Sequence, residues 1–328
     1  MPGEEGELNK EITEMKQYGF GVDIGGTTCK IGLFETNGTL LDKWEIPTRT
    51  ENEGSSILPD VAASIEAKLS EKQISKADVQ GIGIGVPGPV TSEGVVKKCI
   101  NLGWGVFNVA EAMEKLCGVP VKAGNDANVA ALGEMWKGAA AGHKSGVMVT
   151  LGTGVGGGII IDGKIITGAN GAGGEIGHIH VEDAVDWNCG CGNQGCLEQL
   201  ASANGMVTLA KWMIRQGADT KGTTLQPETM TAKDIWDAVK ADDAFAKDVA
   251  ERFGKYLGLA LANVASTVDP EVFVIGGGVS KAGPVILDYI KKYYLKYTFR
   301  GCRGAKFVLA TLGNDAGMYG SAKLVLEQ

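Results

Sequence analysis

Three short apolar runs separated by tight turns follow the first 17 residues. Tyr18–Asp23, Cys29–Phe34 and Leu40–Ile46 are each of strand length, and an Asn-Gly pair separates the last two. Short apolar runs bounded by such turns predict strands joined as hairpins. We therefore expect this part of the chain to form a three-stranded antiparallel unit.

Helical and strand-like patterns then alternate. Apolar side chains recur at helical spacing over residues 55–71, which predicts a helix that buries one face. The other predicted elements of this part are, in order, a strand at Val79–Val86, a helix near Val109–Leu116, a strand at Val119–Lys122 and a helix that begins at Asp126.

The same order of patterns occurs again after residue 146. Its predicted elements are, in order, strands at Val147–Leu151, Gly157–Ile161 and Lys164–Thr167, helices from about Ala203, Ala232 and Asp243, a strand at Val272–Ile275, a helix from Ser280, a strand at Lys306–Ala310 and a helix from Asn314. Three hairpin strands followed by alternating helices and strands, present twice, predict a duplicated α/β fold with mixed sheets. A ligand cleft is expected between the two halves.

The repeat also predicts the domain boundaries. We expect an N-terminal tail at 1–17 and a small N-terminal α/β domain at 18–123. A larger C-terminal α/β domain should span 124–312, and a C-terminal helix at 313–328 should return to the first domain. A length of 328 residues is enough for two cores of ordinary size.

Composition narrows the class of protein. A hydrophobic content of 44% with 21% charged residues is typical of a globular chain. A net charge of -8 provides no basic footprint, so nucleic acid is not expected as a partner. No apolar run reaches the roughly 18 residues of a membrane span. Seven cysteines without a secretory signal favour the cytoplasm.

A cluster of cysteines and histidines lies between residues 175 and 198. Cys189, Cys191 and Cys196 are close together, and His178 and His180 precede them. Three thiolates and one imidazole are a ligand set of a closed tetrahedral zinc site. A disulfide or buried free cysteines are the alternative, but Cys189 and Cys191 are too close in sequence to bridge easily. The spacing predicts a structural zinc, with either histidine as the fourth ligand.

Three motifs together resemble the ROK family of sugar kinases and sugar-sensing repressors. They are Asp23-Ile24-Gly25-Gly26-Thr27-Thr28, the glycine-rich run at 151–158, and Glu175-x-Gly177-His178 followed by Cys189-x-Cys191-x4-Cys196-x-Glu198. The resemblance implies an actin/hexokinase-like (ribonuclease H-like) fold with two domains around a cleft. Within the family, the motifs are most like those of bacterial ATP-dependent glucokinases. That similarity implies phosphorylation of the 6-hydroxyl of glucose by ATP with Mg²⁺, structural zinc and a homodimer.

Two glycine-rich turns occupy matching places in the two halves. Their members are Gly25, Gly26, Thr27 and Thr28 in the first turn, and Gly152, Thr153 and Gly154 in the second. Either turn alone is typical of an ordinary hairpin, whereas the pair favours binding of ATP phosphates by N–H groups and Thr hydroxyls. Asp23 lies beside the first turn and is expected to hold Mg²⁺ through water. By resemblance, Gly276, Gly277 and Gly278 bind adenosine, although a tight strand-to-helix turn has the same local pattern.

The resemblance also assigns a sugar site. Asp126 is expected to be the general base that accepts the proton of the sugar 6-hydroxyl, and Asn125 is expected to bridge ring hydroxyls. A helix N-cap is the alternative role for this Asn-Asp pair. The other expected sugar-binding residues are Gly88, Asn101, Glu175, His178 and Glu198. The family pattern also selects His178, directly after Gly177, over His180 as the zinc ligand.

Other functions share parts of this pattern. A kinase for another hexose, such as N-acetylmannosamine, has similar motifs, and polyphosphate is an alternative donor. ROK repressors place a basic helix-turn-helix before the first glycine turn, whereas the 17 residues before Tyr18 carry five acidic and two basic side chains. A sugar-sensing regulator that lacks the DNA-binding domain is therefore an alternative function. An actin-like structural protein has no need of zinc and a carboxylate-lined pocket, so we expect an enzyme.

Overall fold

The computed structural model describes residues 16–326, so most of the predicted tail (residues 1–15) and the last two residues lie outside the described part. Gln17 already takes part in the fold. Its N–H donates to the Asp78 carbonyl at 2.8 Å, and its own carbonyl accepts from the Thr36 N–H at 2.9 Å.

The first half is built on a five-stranded sheet with the strand order β3-β2-β1-β4-β7. The two hairpin pairs are antiparallel, while β4 is parallel to both of its neighbours. In chain order the elements are β1 Tyr18–Ile24, β2 Thr28–Glu35, β3 Leu40–Pro47, α1 Glu51–Gly54, α2 Ile57–Lys72, β4 Val79–Val86, β5 Val95–Val96, β6 Phe107–Asn108, α3 Val109–Cys117 and β7 Val121–Asn125. The short pair β5 and β6 forms a separate ribbon.

The second half repeats this order in the sheet β10-β9-β8-β11-β12. Its elements are α4 Asp126–Lys137, β8 Gly146–Leu151, β9 Val155–Ile161, β10 Lys164–Ile165, α5 Glu198–Ala201, α6 Ala203–Arg215, α7 Ala232–Lys240, α8 Ala244–Val268, β11 Val272–Gly276, α9 Val285–Tyr297, β12 Lys306–Leu309 and α10 Ala316–Leu326. Both sheets thus place a three-stranded meander beside two parallel strands. The predicted duplication is confirmed at the level of strand order.

Two predicted boundaries are wrong by three residues or more, while the other predicted elements agree with the structure to within about two residues. The strand expected to end at Lys122 runs to Asn125, because β7 stays in register with β4 as far as the pair Val86 and Asn125. The helix expected from Ser280 begins at Val285. A 3₁₀ turn at Gly278–Ala282 precedes it, Gly283 then takes a positive φ of 88°, and Pro284 is the N-cap residue of the helix.

The last helix, α10, lies between the first sheet and α4. A Cβ atom at Gly83 of β4 would lie 1.7 Å from the Ser321 carbonyl oxygen. On the other side, a Cβ atom at Gly320 would lie 1.6 Å from the Val129 carbonyl oxygen. Any larger residue at either position would push the helix away, so glycine permits these two close approaches. The C-terminal helix therefore packs on the first half although it follows the second in sequence.

The core of the second half surrounds α8, a 25-residue helix whose buried face includes Phe245, Phe253 and Leu257. This packing supports the sheet that carries the second glycine-rich turn. Within residues 16–326, no helix combines the length and apolar character that crossing a bilayer requires.

Candidate active site and metal centre

Four side chains after β10 converge on one point. The Nδ1 or Nε2 atom of His178 and the Sγ atoms of Cys189, Cys191 and Cys196 all lie within 4.8 Å of one another. The sulfurs of Cys191 and Cys196 are 3.7 Å apart, and Cys189 Sγ is 3.6 Å from His178 Nδ1. A tetrahedral ion with metal–sulfur bonds of about 2.3 Å separates two sulfurs by about 3.8 Å. The three thiols and the imidazole therefore fit a closed zinc site and are too far apart for disulfides.

His180 has other partners. Its Nδ1 lies 3.0 Å from the Gln194 carbonyl oxygen, and its Nε2 lies 2.8 Å from Asp183 Oδ1. Hydrogen bonds to Asp183 and then to Gln194 raise the pKa of His180 above its ordinary value. Ile176–His178 is a 3₁₀ turn, so the two histidines do not lie on one face of a strand. The geometry therefore places His178, and not His180, with the three cysteines.

The thiol of Cys196 is the most strongly perturbed of the cluster. Burial, followed by hydrogen bonds with Cys191 and Cys189, raises its pKa to about 12. Such a thiol is protonated at neutral pH when no cation is nearby. A thiolate-binding cation has to displace that proton, so metal binding at this cluster releases protons.

Two carboxylates lie against the same loop. Glu175 precedes the 3₁₀ turn, and one of its oxygens lies 4.0 Å from His178 Nε2, the nitrogen that points away from the cysteines. Glu198 is the first residue of α5. Its Oε1 accepts a hydrogen bond from the Cys189 thiol at 3.4 Å, and its Oε2 accepts one from the Val155 N–H at 3.3 Å. Glu175 and Glu198 thus both lie beside the cysteine cluster, and Glu198 also bonds to the second glycine-rich turn.

Asn125 and Asp126 form the junction between the two halves. Asn125 is the N-cap of α4, because its Oδ1 accepts the Asn128 N–H at 3.1 Å. Its amide group donates to the Gly88 carbonyl at 3.0 Å and to Asp126 Oδ1 at 2.9 Å. Asp126 Oδ1 also accepts the Ala127 N–H at 2.8 Å. The capping role that the sequence left open for either residue belongs to Asn125, and Asp126 Oδ2 has no hydrogen-bond partner in another residue between 16 and 326.

Electrostatics connect Asp126 to residues from both halves. Burial raises the pKa of Asp126, the Ala127 N–H lowers it, and the charge of Glu175 raises it again. Burial also raises the pKa of Asp23 to about 6, with a further increase from Asp126 and a decrease from Lys30. Asp126 is therefore close enough to interact with the charges of both Asp23 and Glu175, although the three are distant in sequence. Clustered carboxyl groups with perturbed pKa values are typical of catalytic sites.

Both glycine-rich turns have an open face. A Cβ atom at Gly26 or at Gly152 would meet no other atom within 4 Å, and Thr27 and Thr153 are exposed. The first turn is closed by the Gly25 N–H donating to the Thr28 carbonyl, and the second by the Gly152 N–H donating to the Gly154 carbonyl, both at 3.0 Å. Their outward N–H groups and hydroxyls are available to an anionic ligand.

The remaining predicted residues are the glycine run after β11, Gly88 and Asn101. Gly277 has a φ of 83°, and a Cβ atom there would lie 2.5 Å from the Leu151 carbonyl oxygen, so the run Gly276 to Gly278 is next to the second turn. Gly88 contacts Asn125 through its carbonyl. Asn101 is exposed on the 3₁₀ turn Ile100–Leu102, and within residues 16–326 its side chain makes no hydrogen bond to another predicted site residue.

Two buried polar residues of α4 were missed by the sequence interpretation. Asn128 is 2% exposed, and its Oδ1 has no hydrogen-bond partner among residues 16–326. Glu134 is fully buried and bonds to Thr311 and Leu312. A charged residue among the apolar positions Leu132, Gly133 and Met135 was the available signal for Glu134.

A cavity of about 570 Å³ lies elsewhere, between the start of α2, α3 and the loop that contains Trp104 and Phe107. None of the predicted site residues lines it. The carboxyl cluster and the two open turns, which supply convergent polar groups, mark the candidate active site instead.

Comparison with known proteins identifies the family. The ROK family model matches residues 19–328. The chain belongs to the ROK family. It is 44% identical to a glucokinase of Halalkalibacterium halodurans, over 94% of each chain. This family assignment confirms the resemblance drawn from the three motifs.

Solved structures of other ROK proteins share the fold. A ROK family glucokinase from Streptomyces griseus, in complex with glucose and AMPPNP, is 35% identical and matches with a TM-score of 0.71, over 94% of this chain and 98% of that one. A ROK family transcriptional regulator, homologous to the Escherichia coli MLC protein, is 27% identical with a TM-score of 0.81, over 95% of this chain and 78% of that one. The ROK chain described here has the actin/hexokinase-like fold of two α/β halves. That fold is common to kinases and regulators, so the site has to decide the function.

Proposed function

We propose that this ROK protein is an ATP-dependent glucokinase that transfers the γ-phosphoryl group of ATP to the 6-hydroxyl of D-glucose. The observation that carries the proposal is that Asp126, at the junction of the halves, is close enough to Glu175 and to Asp23 to interact with both charges. The glucokinase relative that matches over almost its whole length supports the same activity.

Asp126 is the proposed general base. Its Oδ1 is occupied by the Asn125 amide and the Ala127 N–H, whereas Oδ2 has no partner in another residue between 16 and 326. Oδ2 is therefore the oxygen that would accept the proton of the sugar 6-hydroxyl as that hydroxyl attacks the γ-phosphorus. The N–H groups on Oδ1 keep the carboxyl group in one orientation, which limits the misalignment of the two reacting oxygens.

Recognition of the sugar would involve both halves. Glu175 and Glu198 would accept hydrogen bonds from vicinal hydroxyls, and His178 would donate one from Nε2 while Nδ1 binds the metal. Asn125 already donates both amide hydrogens to Gly88 and Asp126. In this conformation Asn125 would accept from a ring hydroxyl rather than donate to one. Asn101 would reach the sugar from the Ile100–Leu102 turn.

The two glycine-rich turns would bind the phosphates, with N–H groups and Thr hydroxyls from Gly25 to Thr28 and from Gly152 to Gly154. Gly276, Gly277 and Gly278 would leave room for adenosine. Asp23 is the residue that would hold Mg²⁺, an ion that neutralises the phosphate charge when it is bound. With a pKa of about 6, the Asp23 carboxyl is mostly ionised at neutral pH, as a magnesium ligand has to be.

Zinc would be a scaffold. His178, Cys189, Cys191 and Cys196 supply four protein ligands, which leaves no position for substrate, so its contribution would be to stabilise the loop that presents Glu175 and Glu198. We further propose that the protein is a cytoplasmic homodimer that binds neither nucleic acid nor membrane. Sedimentation at several protein concentrations tests the dimer.

A panel of substrates tests the proposed function. Purified protein with ATP and Mg²⁺ would be assayed against glucose, mannose, fructose, glucosamine and the N-acetyl sugars. Glucose should give the highest kcat/KM, and ATP should be a better donor than polyphosphate. A higher kcat/KM for N-acetylmannosamine would show that this sugar, and not glucose, is the substrate. Sugar binding without phosphorylation of any hexose would favour the regulator, whose fold this chain shares.

A further inference from the structure

A buried carboxyl group outside the proposed site joins two distant segments. Glu134, in the third turn of α4, is fully buried. Its Oε1 accepts the Leu312 N–H at 2.8 Å and the Thr311 N–H at 3.0 Å, and its Oε2 accepts the Ala139 N–H at 2.8 Å. The Thr311 hydroxyl is 3.4 Å from Oε2. Buried carboxyl groups are costly unless several donors satisfy them, and here every donor but Ala139 belongs to the 311–312 segment.

That segment is where the chain returns to the first half. The chain first crosses between the halves at Asn125 and Asp126, where β7 ends and α4 begins. It crosses back between β12 and α10, the helix that packs on the first sheet. Helix α4 takes part in both connections, because it starts at the first and binds the second through Glu134.

The two sides of the return connection are held by different halves. Thr311 and Leu312 are bound to Glu134, while the Lys30 ammonium of β2 donates to the Asn314 carbonyl at 2.9 Å and Lys43 of β3 pairs with Asp315 at 2.6 Å. One residue separates the two sets of bonds. It is Gly313, which has a positive φ of 56° and no neighbour within 4 Å of a Cβ atom at its position.

Helix α10 follows the segment that Glu134 binds and packs against Asp23. A Cβ atom at Gly317, in the first turn of α10, would lie 2.6 Å from the Asp23 carboxyl group. A Cβ atom at Gly133, next to Glu134, would lie 2.2 Å from the Ala316 carbonyl oxygen. The position of α10 along α4 therefore determines what surrounds Asp23, while the start of α4 determines where Asp126 lies.

We propose that Glu134 is a positioning residue for phosphoryl transfer: by holding residues 311–312 on α4, it fixes α10 and so places Asp23 relative to Asp126. This inference rests on the proposed kinase function. Glu134 bonds to none of the proposed sugar-binding residues. Replacing Glu134 should therefore disturb the alignment of the reacting groups and of Mg²⁺ more than it weakens the affinity for glucose.

The test compares Glu134→Gln with Tyr294→Phe. Glutamine keeps the shape but places an NH₂ group against N–H donors. Tyr294, 1% exposed in α9, donates a buried hydrogen bond to the Cys302 carbonyl, away from both connections, and its loss serves as a matched structural control. Thermal unfolding, kcat, the Mg²⁺ concentration for half-maximal rate and the calorimetric Kd for glucose would be measured for each variant, well below its Tm.

Glu134→Gln should lower kcat about tenfold and raise the Mg²⁺ requirement several-fold, with the glucose Kd within about twofold of wild type. Tyr294→Phe should leave all three values near wild type even where its Tm falls. If Glu134→Gln does not fold, Thr311→Val carries the test, with an expected loss of about two- to threefold in kcat.

An unchanged kcat in the variant that folds would overturn the inference, as would a loss that Tyr294→Phe reproduces at equal Tm. A glucose Kd that weakens as much as kcat would also overturn it. Wild-type protein without turnover on any hexose would overturn the proposed function together with this inference. Wild-type turnover with an unaffected Glu134 variant would overturn the inference alone.

Discussion

The two sheets differ at the tips of their central hairpins. In the first sheet, Asp23 pairs with Lys30 on β2 and lies beside Gly85 on β4. The equivalent place in the second sheet is Thr150, which pairs with Gly156 on β9 and lies beside Gly276 on β11. The duplicated framework therefore supplies two similar turns but a carboxyl group at the first tip and a hydroxyl at the second. Similar backbone in the two halves does not imply similar chemistry.

The insertions differ as well. The first half inserts β5 and β6 after β4, while the second inserts the cysteine loop after β10. The second insertion is bonded to its own glycine-rich turn. Glu198 accepts the Val155 N–H, and the Ala203 N–H donates to the Gly152 carbonyl at 2.8 Å. We infer that the second turn depends on the cysteine loop in a way that the first turn does not.

The largest expected effect lies at the junction between the halves. Asp126→Asn should lower kcat at least about a hundredfold, because the amide cannot accept a proton, while the glucose Kd stays close to wild type. Helix α4 should be unaffected, since Asn125 is its cap. Asp243→Asn is the control, because it makes the same Asp-to-Asn change at the start of another helix, α8, outside the proposed site. Near-normal turnover of Asp126→Asn would show that another group is the base.

The difference between the two hairpin tips predicts the next effect. Asp23→Asn should lower kcat by about thirtyfold and raise the Mg²⁺ requirement, whereas Thr150→Val should cost only about threefold without a change in that requirement. Rates measured across a Mg²⁺ titration would separate the two. Equal losses in both variants would mean that the halves contribute symmetrically, contrary to the comparison.

Removal of the metal should affect the second glycine-rich turn more than the first. Cys191→Ala or a strong chelator should weaken glucose binding by about tenfold, because the loop that carries Glu175 and Glu198 is released. Amide exchange should then increase in the second turn, around Gly152, and much less in the first, around Gly26. Elemental analysis of untreated protein should find one zinc per chain, and Cys117→Ala should retain it. Unchanged glucose affinity in zinc-free protein would refute the scaffold role.

The smallest expected effect is a pH dependence at Asp23. Its pKa of about 6 in the folded protein is above the ordinary value of 3.8, so folding favours the protonated form. The contribution of Asp23 to stability without Mg²⁺ should therefore decrease as pH rises from about 4 to about 6, and it is measured as the difference between wild type and Asp23→Asn. Turnover should change in the opposite direction, since it needs the ionised form. Urea unfolding and kcat/KM measured over this range would reveal either trend, and parallel changes would contradict the assignment.

Much of the fold was predictable because its signals are local. Hairpin turns, helical periodicity and the order of elements repeat within short windows, and the structure confirms the duplicated strand order. The start of α9 was missed, since Gly283 and Pro284 delay the helix in a way that apolar spacing does not reveal. The choice between His178 and His180 needed the family pattern, because both offer the same donor atoms. The role of His178 as a zinc ligand stays a prediction.

The sequence by itself determined the elements, the two glycine-rich turns and the tight spacing of the cysteines, because each depends on residues that are neighbours in the chain. The tertiary structure decided which residues the buried carboxyl groups contact. Glu134 and Thr311 are 177 positions apart, and Asp23 meets Gly317 only because α10 returns to the first sheet. No local pattern encodes these contacts. They follow from the packing of α10 between the first sheet and α4, and burial in the folded chain raises the pKa values of Asp23 and Asp126.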